Sequence, residues 1–205
     1  MDDERIARTR KALHAVAELV IAGPQYRATG TIRLQVTPDG FGGVASTLRV
    51  AGAELVWHGG SSPLTGTCGS LAAAAGVLVG APDGLYHDHA DLGEDDEIVV
   101  EVAAAGLIAE WFARGDSALR TFQPDAGPVL WPEHFDLAIT VDDVNYGVSP
   151  GDSAHRRPYA YVGPWTPREG DFWNAPFGAL RYADELPDAA AVAAFFAEGR
   201  RLARL

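Results

Sequence analysis

Aromatic residues are concentrated in one part of this 205-residue chain. About half of its Trp, Tyr and Phe side chains lie between residues 128 and 182, where turn-forming Pro, Gly and Asp residues separate them. Aromatic rings bring the largest apolar areas, and Trp and Tyr also carry a polar tip that needs a hydrogen-bond partner. The segment must therefore close a core over short strands or line a concave surface. Its aromatic members are Trp131, Phe135, Tyr146, Tyr159, Tyr161, Trp165, Phe172, Trp173, Phe177 and Tyr182.

The composition is typical of a water-soluble globular protein. With 47% hydrophobic and 21% charged residues the chain can bury a sizeable core. Its length predicts a single domain over residues 1–205. The formal net charge of -12 disfavours nucleic acid and anionic membrane surfaces as partners, because like charges repel.

The location of the protein is predicted from its apolar segments and its cysteine content. No apolar stretch precedes Ala12, and the longest apolar run, residues 71–79, is too short to cross a bilayer. Cys68 is the only cysteine, so the chain cannot form an internal disulfide. We therefore predict a cytoplasmic protein.

The first part of the chain predicts one helix followed by short strands. Apolar residues at helical spacing predict a helix over residues 6–21, and Gly23 and Pro24 predict its end. Apolar and polar residues then alternate over residues 26–36, which predicts a half-exposed strand. Further strands are expected within 41–50 and 53–58. The Gly- and Ser-rich residues 59–63 predict a loop.

The remainder predicts three more helical regions and a second group of strands. Because the helices and strands do not alternate strictly, a doubly wound parallel sheet is disfavoured. We predict an α+β fold in one domain, with a curved antiparallel sheet or open barrel and about three main helices packed on it. The later elements are a short helix from about Ser70, a helix over 108–122, a hairpin around Asp142-Asp143, strands at 159–162 and 177–182, and a last helix capped by Asp188.

Histidines and carboxylates at alternate positions form the best candidate for a metal site. In an extended segment His87 and His89 point the same way, because side chains alternate with a period of two. Two imidazoles and a carboxylate can hold iron or zinc and leave one position open for chemistry. The alternative is that these are solvated loop residues and that the two groups do not meet. The candidate ligands are His87, His89 and His134; the whole group is His87-Asp88-His89 with Asp91, joined in space by Glu133, His134 and Asp136.

The same region contains the candidate catalytic residues. His134 could act as a general base oriented by Glu133 or Asp136. The preceding Trp131-Pro132 favours an extended entry into a strand, because a residue before proline avoids the helical region. The alternative is that His134 and its carboxylates fix the strand end by hydrogen bonds.

The aromatic side chains of the later strands and loops are the candidate ligand-binding residues. Tyr159 and Tyr161 share one face of a predicted strand, and the remaining rings lie in loops interrupted by Pro and Gly. These loops either line a pocket for a small, partly apolar ligand or fold down over the sheet and fill the space. The predicted set is Trp131, Tyr159, Tyr161, Trp165, Phe172 and Trp173.

Three short motifs carry a resemblance to other sequences. They are Trp-Pro-Glu-His-Phe-Asp-Leu-Ala at 131–138, Tyr-Ala-Tyr at 159–161 and Phe-Trp-Asn at 172–174, followed by a closing helix. Together they resemble a family of uncharacterised bacterial proteins, mostly actinobacterial, known only as a domain of unknown function. The resemblance covers about residues 129–202. It implies no activity, cofactor or substrate, so it transfers no functional residue.

The absence of familiar nucleophile, phosphate-binding and cofactor motifs favours a non-catalytic binding role over an enzymatic one. We expect a small-molecule ligand in an aromatic-lined pocket, without nucleic-acid or membrane partners. One alternative is a metal-dependent enzyme or hydrolase centred on His134. A structural or partner-binding protein is the other. The identity of any cofactor and the oligomeric state stay open.

Overall fold

A computed structural model describes residues 3–204 as two compact units. The first unit contains residues up to 110 together with 130–135, and the second contains residues 111–129 together with those from 136 onwards. The organisation of the whole chain as a single domain stays a prediction.

Within residues 3–204 the α- and π-helical residues form three long segments and one short helix, and a 3₁₀ turn (Ala183–Glu185) precedes the last long helix. The first long segment is continuous and consists of α1 (Asp3–Ala15), a π-helical part (Val16–Ala22) and α2 (Gly23–Thr29). The short helix α3 (Cys68–Ala75) belongs to the first unit. Its first residue, Cys68, is buried, and burial raises the pKa of the thiol to about 12. The other two long helices are α4 (Val102–Phe122) and α5 (Ala189–Ala203).

Strands of the first unit are short and antiparallel. Six of them follow the order β8-β1-β2-β3-β4-β5, and β6 pairs with β7 in a separate two-stranded sheet. They are β1 (Leu34–Thr37), β2 (Gly40–Gly43), β3 (Arg49–Ala51), β4 (Glu54–Trp57), β5 (Gly60–Pro63), β6 (Thr65–Thr67), β7 (Glu97–Val99) and β8 (Val129–Trp131), of which residues 130 and 131 belong to this unit.

Strands of the second unit form an antiparallel meander, β9-β10-β11-β12. The turn between β9 and β10 places Asp142 and Asp143 at φ 53° and 59°, which is the backbone of a type I′ hairpin and confirms the predicted turn. The strands are β9 (Asp136–Val141), β10 (Val144–Ser149), β11 (Tyr159–Pro164) and β12 (Ala179–Tyr182).

These elements confirm the predicted α+β class. Ten antiparallel strands, six in the first unit and four in the second, accompany the three long helical segments and the small two-stranded sheet. Neither group of strands is closed into a barrel, since β5 in the first unit and β12 in the second each pair on one side only among the described residues. Asp188 caps α5 as expected, because its side chain accepts a hydrogen bond from the Ala191 N–H at 2.8 Å.

The prediction that the first helix ends at Gly23-Pro24 is wrong. In the π-helical part the Gly23 N–H bonds to the carbonyl oxygen of Glu18, five residues back, instead of to that of Leu19. The released Leu19 carbonyl accepts the Gly80 N–H at 3.0 Å, and Pro24 lies in the first turn of α2, where proline is tolerated. The helix therefore continues to Thr29, and the predicted strand is confined to β1.

The prediction of a loop over residues 59–63 is also wrong. Residues 60–63 form β5, which pairs with β4 in the register Leu55↔Ser62 and Trp57↔Gly60. Gly, Ser and Pro have low strand propensity, but β5 pairs on one side only, and Pro63 is compatible with an edge strand because it needs no partner for an N–H. Pairing with β4 thus overrides the local composition.

No helix within residues 3–204 has both the length and the apolar composition needed to span a bilayer. The cytoplasmic location stays a prediction.

The close approach of Gly23 to Gly80 gives a test of the first helical segment. A Cβ atom at Gly23 would lie 1.8 Å from the Gly80 carbonyl oxygen, whereas one at Gly106 in α4 would meet nothing within 4 Å. We expect Gly23→Ala to destabilise the protein by about 1–3 kcal/mol through overpacking. Gly106→Ala should stabilise it by about 1 kcal/mol through helix propensity. Urea unfolding of both variants measures this, and equal effects would contradict the packing.

Candidate functional site

Three polar side chains of the first unit converge from two segments that are distant in sequence. Asp88, Glu133 and His134 place one ligand atom each within 4.8 Å of the other two. Asp88 and His134 are exposed, and Glu133 is half-buried. The His134 Nε2 and Glu133 Oε1 atoms are 3.9 Å apart. Within the described residues this group brings two carboxylates and an imidazole within reach of one ion.

Glu133 and His134 lie in a turn that is held by the buried residue after them. Phe135 has φ 50°, a left-handed conformation that is costly for a bulky side chain. Its ring stacks on His14 with centroids 5.4 Å apart and meets Phe41 edge-on at 5.3 Å. His14 also donates its Nε2–H to the Pro132 carbonyl oxygen at 2.7 Å. These contacts offset the strain and fix the turn.

Asp88 lies in a loop that is held by a carboxylate without solvent exposure. The Glu18 side chain accepts the His89 Nδ1–H through Oε1 at 2.6 Å and the Ala90 N–H through Oε2 at 2.7 Å. Both oxygens are therefore satisfied inside the protein, as a buried charge requires. This pair of bonds fixes the two residues after Asp88 to the π-helical part.

Lys11, Asp91 and Tyr86 lie in or beside the same two segments of the first unit. The Lys11 ammonium group lies 2.9 Å from Asp91, and its hydrogen bond lowers the pKa of that carboxyl group. Burial raises the pKa of Tyr86, and the nearby charge of Glu18 raises it further, so this phenol stays protonated.

The structure brings together some of the predicted metal ligands but not all of them. His134 belongs to the group of three, as does its neighbour Glu133. The histidine-rich loop contributes Asp88 to the group, whereas the His89 imidazole is bound to Glu18 and His87 is not a member. Asp136 lies in the second unit, where the Tyr161 hydroxyl donates to it.

A second cluster, in the second unit, contains two of the predicted aromatic residues. The rings of Tyr159, Tyr161 and Phe177 lie at the corners of a nearly equilateral triangle, with centroids 6.2 to 6.3 Å apart. The His155 imidazole meets Tyr159 and Phe177 edge-on at 5.4 and 5.9 Å. Tyr159 is buried, Tyr161 is half-buried, and Phe177 is 39% exposed. We call these four rings the aromatic cluster.

Carboxylates accept hydrogen bonds from the hydroxyl groups of this aromatic cluster. Tyr159 donates to Asp152 at 2.6 Å, and Tyr161 donates to the buried Asp136. Burial raises the pKa of both phenols, and the carboxylates beside them add to the effect. Although burial opposes it, the hydrogen bonds from Tyr159 and from the backbone N–H groups of His155 and Ala154 lower the pKa of Asp152. The phenols are therefore donors and the carboxylates acceptors at neutral pH.

The other predicted aromatic residues lie apart from this cluster. Trp131 belongs to the first unit, where the Arg33 guanidinium group lies 6.0 Å from its ring. Trp165 is 65% exposed and points its Nε1–H towards Asn145 at 3.4 Å. Phe172 meets Trp173 edge-on at 4.9 Å and packs near Phe195 of α5 at 5.5 Å. The predicted ligand-binding set is thus divided among several places.

The sequence contains one signal for Glu18, which none of the predicted sets of functional residues includes. Glu18 is the only charged residue in the apolar run from Ala15 to Ala22. Lys11, His14 and Glu18 follow each other at spacings of three and four, which places them on successive turns of one helix face. A charge in a segment that must be buried predicts a specific partner. The identity of that partner, at residues 89 and 90, has no such signal.

Comparison with protein-family models, curated proteins and solved structures finds no match to this chain. The family resemblance of the carboxyl-terminal third therefore stays an expectation.

The environment of His14 predicts a pH dependence of stability. Burial lowers the pKa of His14 below its ordinary value of 6.5, so the unfolded chain binds a proton more readily than the folded one. This contribution is fully present above pH 6.5 and is lost as the pH falls below it. His14→Gln keeps a donor for Pro132 but does not titrate. The difference in unfolding free energy between wild type and His14→Gln, measured by urea titration, should therefore fall from pH 7.5 to pH 5.

A difference between wild type and His14→Gln that stays constant with pH would contradict the assignment.

Proposed function

We propose that this protein binds a divalent transition metal through Asp88, Glu133 and His134, and that the bound metal supports a hydrolytic reaction. The observation that carries the proposal is the convergence of the three ligand atoms within 4.8 Å. The two segments that supply them are separated by more than forty residues of sequence, and each is held by its own contacts to the first helical segment.

The geometry suits a metal after a small adjustment of exposed side chains. Tetrahedral ligands at about 2.1 Å from zinc lie about 3.4 Å from one another. The three atoms lie within 4.8 Å of one another, and the exposed side chains of Asp88 and His134 can rotate inward at little cost. Two carboxylates and one imidazole suit zinc, manganese or ferrous iron.

Three protein ligands leave coordination positions for water and substrate, as in catalytic rather than structural metal sites. A metal in such a site lowers the pKa of a bound water and polarises a carbonyl or phosphoryl oxygen. In this arrangement Asp88, Glu133 and His134 would hold the ion, and the Glu18–His89 pair would keep the loop in place. The family resemblance implies no activity, so this proposal does not depend on it.

We place this function in the cytoplasm, without a nucleic-acid or membrane partner. The support for this part of the proposal is the net charge of -12 and the lone cysteine.

Calorimetric titration of the metal-free protein with Zn²⁺ and Mn²⁺ tests the site. We expect one equivalent of metal per chain and a loss of affinity of at least about tenfold in His134→Ala, since even indirect partners of a metal site cost that much. His58→Ala removes another exposed histidine of the first unit and should bind metal like the wild type. An unchanged affinity in His134→Ala, or an equal loss in both variants, would overturn the metal site.

The hydrolytic part has its own test. The zinc-loaded protein should hydrolyse p-nitrophenyl acetate faster than the metal-free protein, and His134→Ala should abolish that difference. If metal binds but the rates are equal, the protein binds metal without this reaction.

The aromatic cluster supports a second candidate, the binding of a small, partly apolar ligand that carries a cation or hydrogen-bond donors. Three rings lie together with Phe177 exposed, and the carboxylates of Asp136 and Asp152 lie at their polar ends. Aromatic faces and carboxylates both attract a cationic group. An alkylammonium ion, such as the one that tyramine or choline carries, therefore matches the chemistry of this surface better than an anion does.

Tryptophan fluorescence tests this candidate, because the Trp111 indole donates to the carbonyl oxygen of Ser149 at the end of β10. Tyramine and choline should change the emission, and Phe177→Ala should weaken their binding by between about twofold and tenfold, the value of one aromatic contact. Trp165→Phe alters an exposed ring outside the cluster and should leave the affinity unchanged. A flat response to every amine in the wild type would contradict this candidate.

A further inference from the structure

We propose that Glu18 is a positioning residue of the metal centre, which holds the loop that carries Asp88 without touching the ion. The inference rests on the proposed metal site. It assigns to the π-helical part of the first helical segment the task of bringing Asp88 to Glu133 and His134.

The contacts of Glu18 hold the two residues directly after the ligand Asp88. The two Glu18 carboxylate oxygens bind His89 and Ala90, the first and second residues after Asp88, at 2.6 and 2.7 Å. A loop residue whose next neighbours are fixed has few backbone conformations left to it. The position of the Asp88 carboxylate therefore depends on the Glu18 carboxylate.

The start of the same loop is tied to the same helix. The Leu19 carbonyl, released by the π-helical hydrogen-bond pattern, accepts the Gly80 N–H at 3.0 Å. Arg27 of α2 donates to the carbonyl oxygens of Leu78, Gly80 and Ala81. The loop between residues 80 and 90 is thus fixed at both ends. Its anchor, the π-helical part, is of a kind that occurs frequently at functional sites when it interrupts an α-helix.

The other ligand-bearing segment is held one turn earlier on this helix. His14, four residues before Glu18, binds the Pro132 carbonyl oxygen and stacks on Phe135. One face of one helix therefore contacts both of the segments that contain the three ligands. The relative position of Asp88 and His134 is set by the spacing between His14 and Glu18.

Replacement of the carboxylate tests the inference. Glu18→Met keeps the length and helix propensity of the side chain but removes both acceptors. We expect its Zn²⁺ affinity, measured by calorimetry, to fall by about tenfold, the usual loss for a partner outside the ligand shell. Glu18→Gln keeps one amide oxygen that can accept the Ala90 N–H, and its affinity should lie between those of Glu18→Met and the wild type.

A double-mutant cycle separates positioning from general loss of stability. If Glu18 acts through Asp88, Glu18→Met should cause no further loss of affinity in an Asp88→Asn background. In a Glu133→Gln background the loss should persist. Gln25→Met is the matched control, since Gln25 is also buried in this helical segment but bonds to residues 31, 33 and 45. It should lower the urea midpoint and leave the Zn²⁺ affinity unchanged.

Hydrogen exchange of the metal-free protein reports the same contact without any ion. The Ala90 amide should be protected in the wild type and exchange faster in Glu18→Met. A wild type that binds no Zn²⁺ overturns the metal site and this inference together. A wild type that binds Zn²⁺ while Glu18→Met binds it equally well overturns this inference alone. An unprotected Ala90 amide in the wild type overturns it as well.

Discussion

The need to satisfy a buried carboxylate determines the organisation of the first unit. Glu18 has no solvent exposure, and an ionised carboxylate without partners would cost several kcal/mol in such a place. The charge is accommodated because His89 and Ala90 supply donors to both of its oxygens. A loop without secondary structure is thereby given a defined position against the first helical segment. The location of Asp88 follows from this.

The second unit depends on a different constraint, the packing of helices on an antiparallel meander. Phe122 of α4 and Phe196 of α5 meet the buried Tyr146 of β10 with ring centroids 4.6 and 6.0 Å away. Small residues permit this close approach, since a Cβ at Gly115 or Gly199 would collide with a valine of the sheet. The aromatic cluster around Tyr159 is held separately by its carboxylate partners. Tyr146 thus packs in the core between helices and sheet, whereas Tyr159 and Tyr161, which are close to it in sequence, belong to the aromatic cluster.

The candidate site was only partly predictable from the sequence, and the reason differs from residue to residue. His134 and Glu133 are adjacent chemical groups, so local pattern suffices to select them. Asp88 is not distinguished from its neighbours His87 and His89 by any local pattern, because all three are polar and the segment has no regular structure. The two residues after it bind Glu18, which lies about seventy residues away in the chain. Long-range pairing of this kind leaves no mark on local spacing.

Local sequence by itself determined the α+β class, the Asp142-Asp143 hairpin and the cap of α5, because periodicity, turn residues and caps act over a few neighbouring residues. Only the tertiary structure decided that the first helix passes through Pro24, since the released Leu19 carbonyl finds its donor in the distant Gly80. It also decided that residues 60–63 form a strand and that the predicted aromatic set is divided. In the first two cases backbone pairing outweighed local composition, with the distant Gly80 for the helix and with the neighbouring strand β4 for residues 60–63.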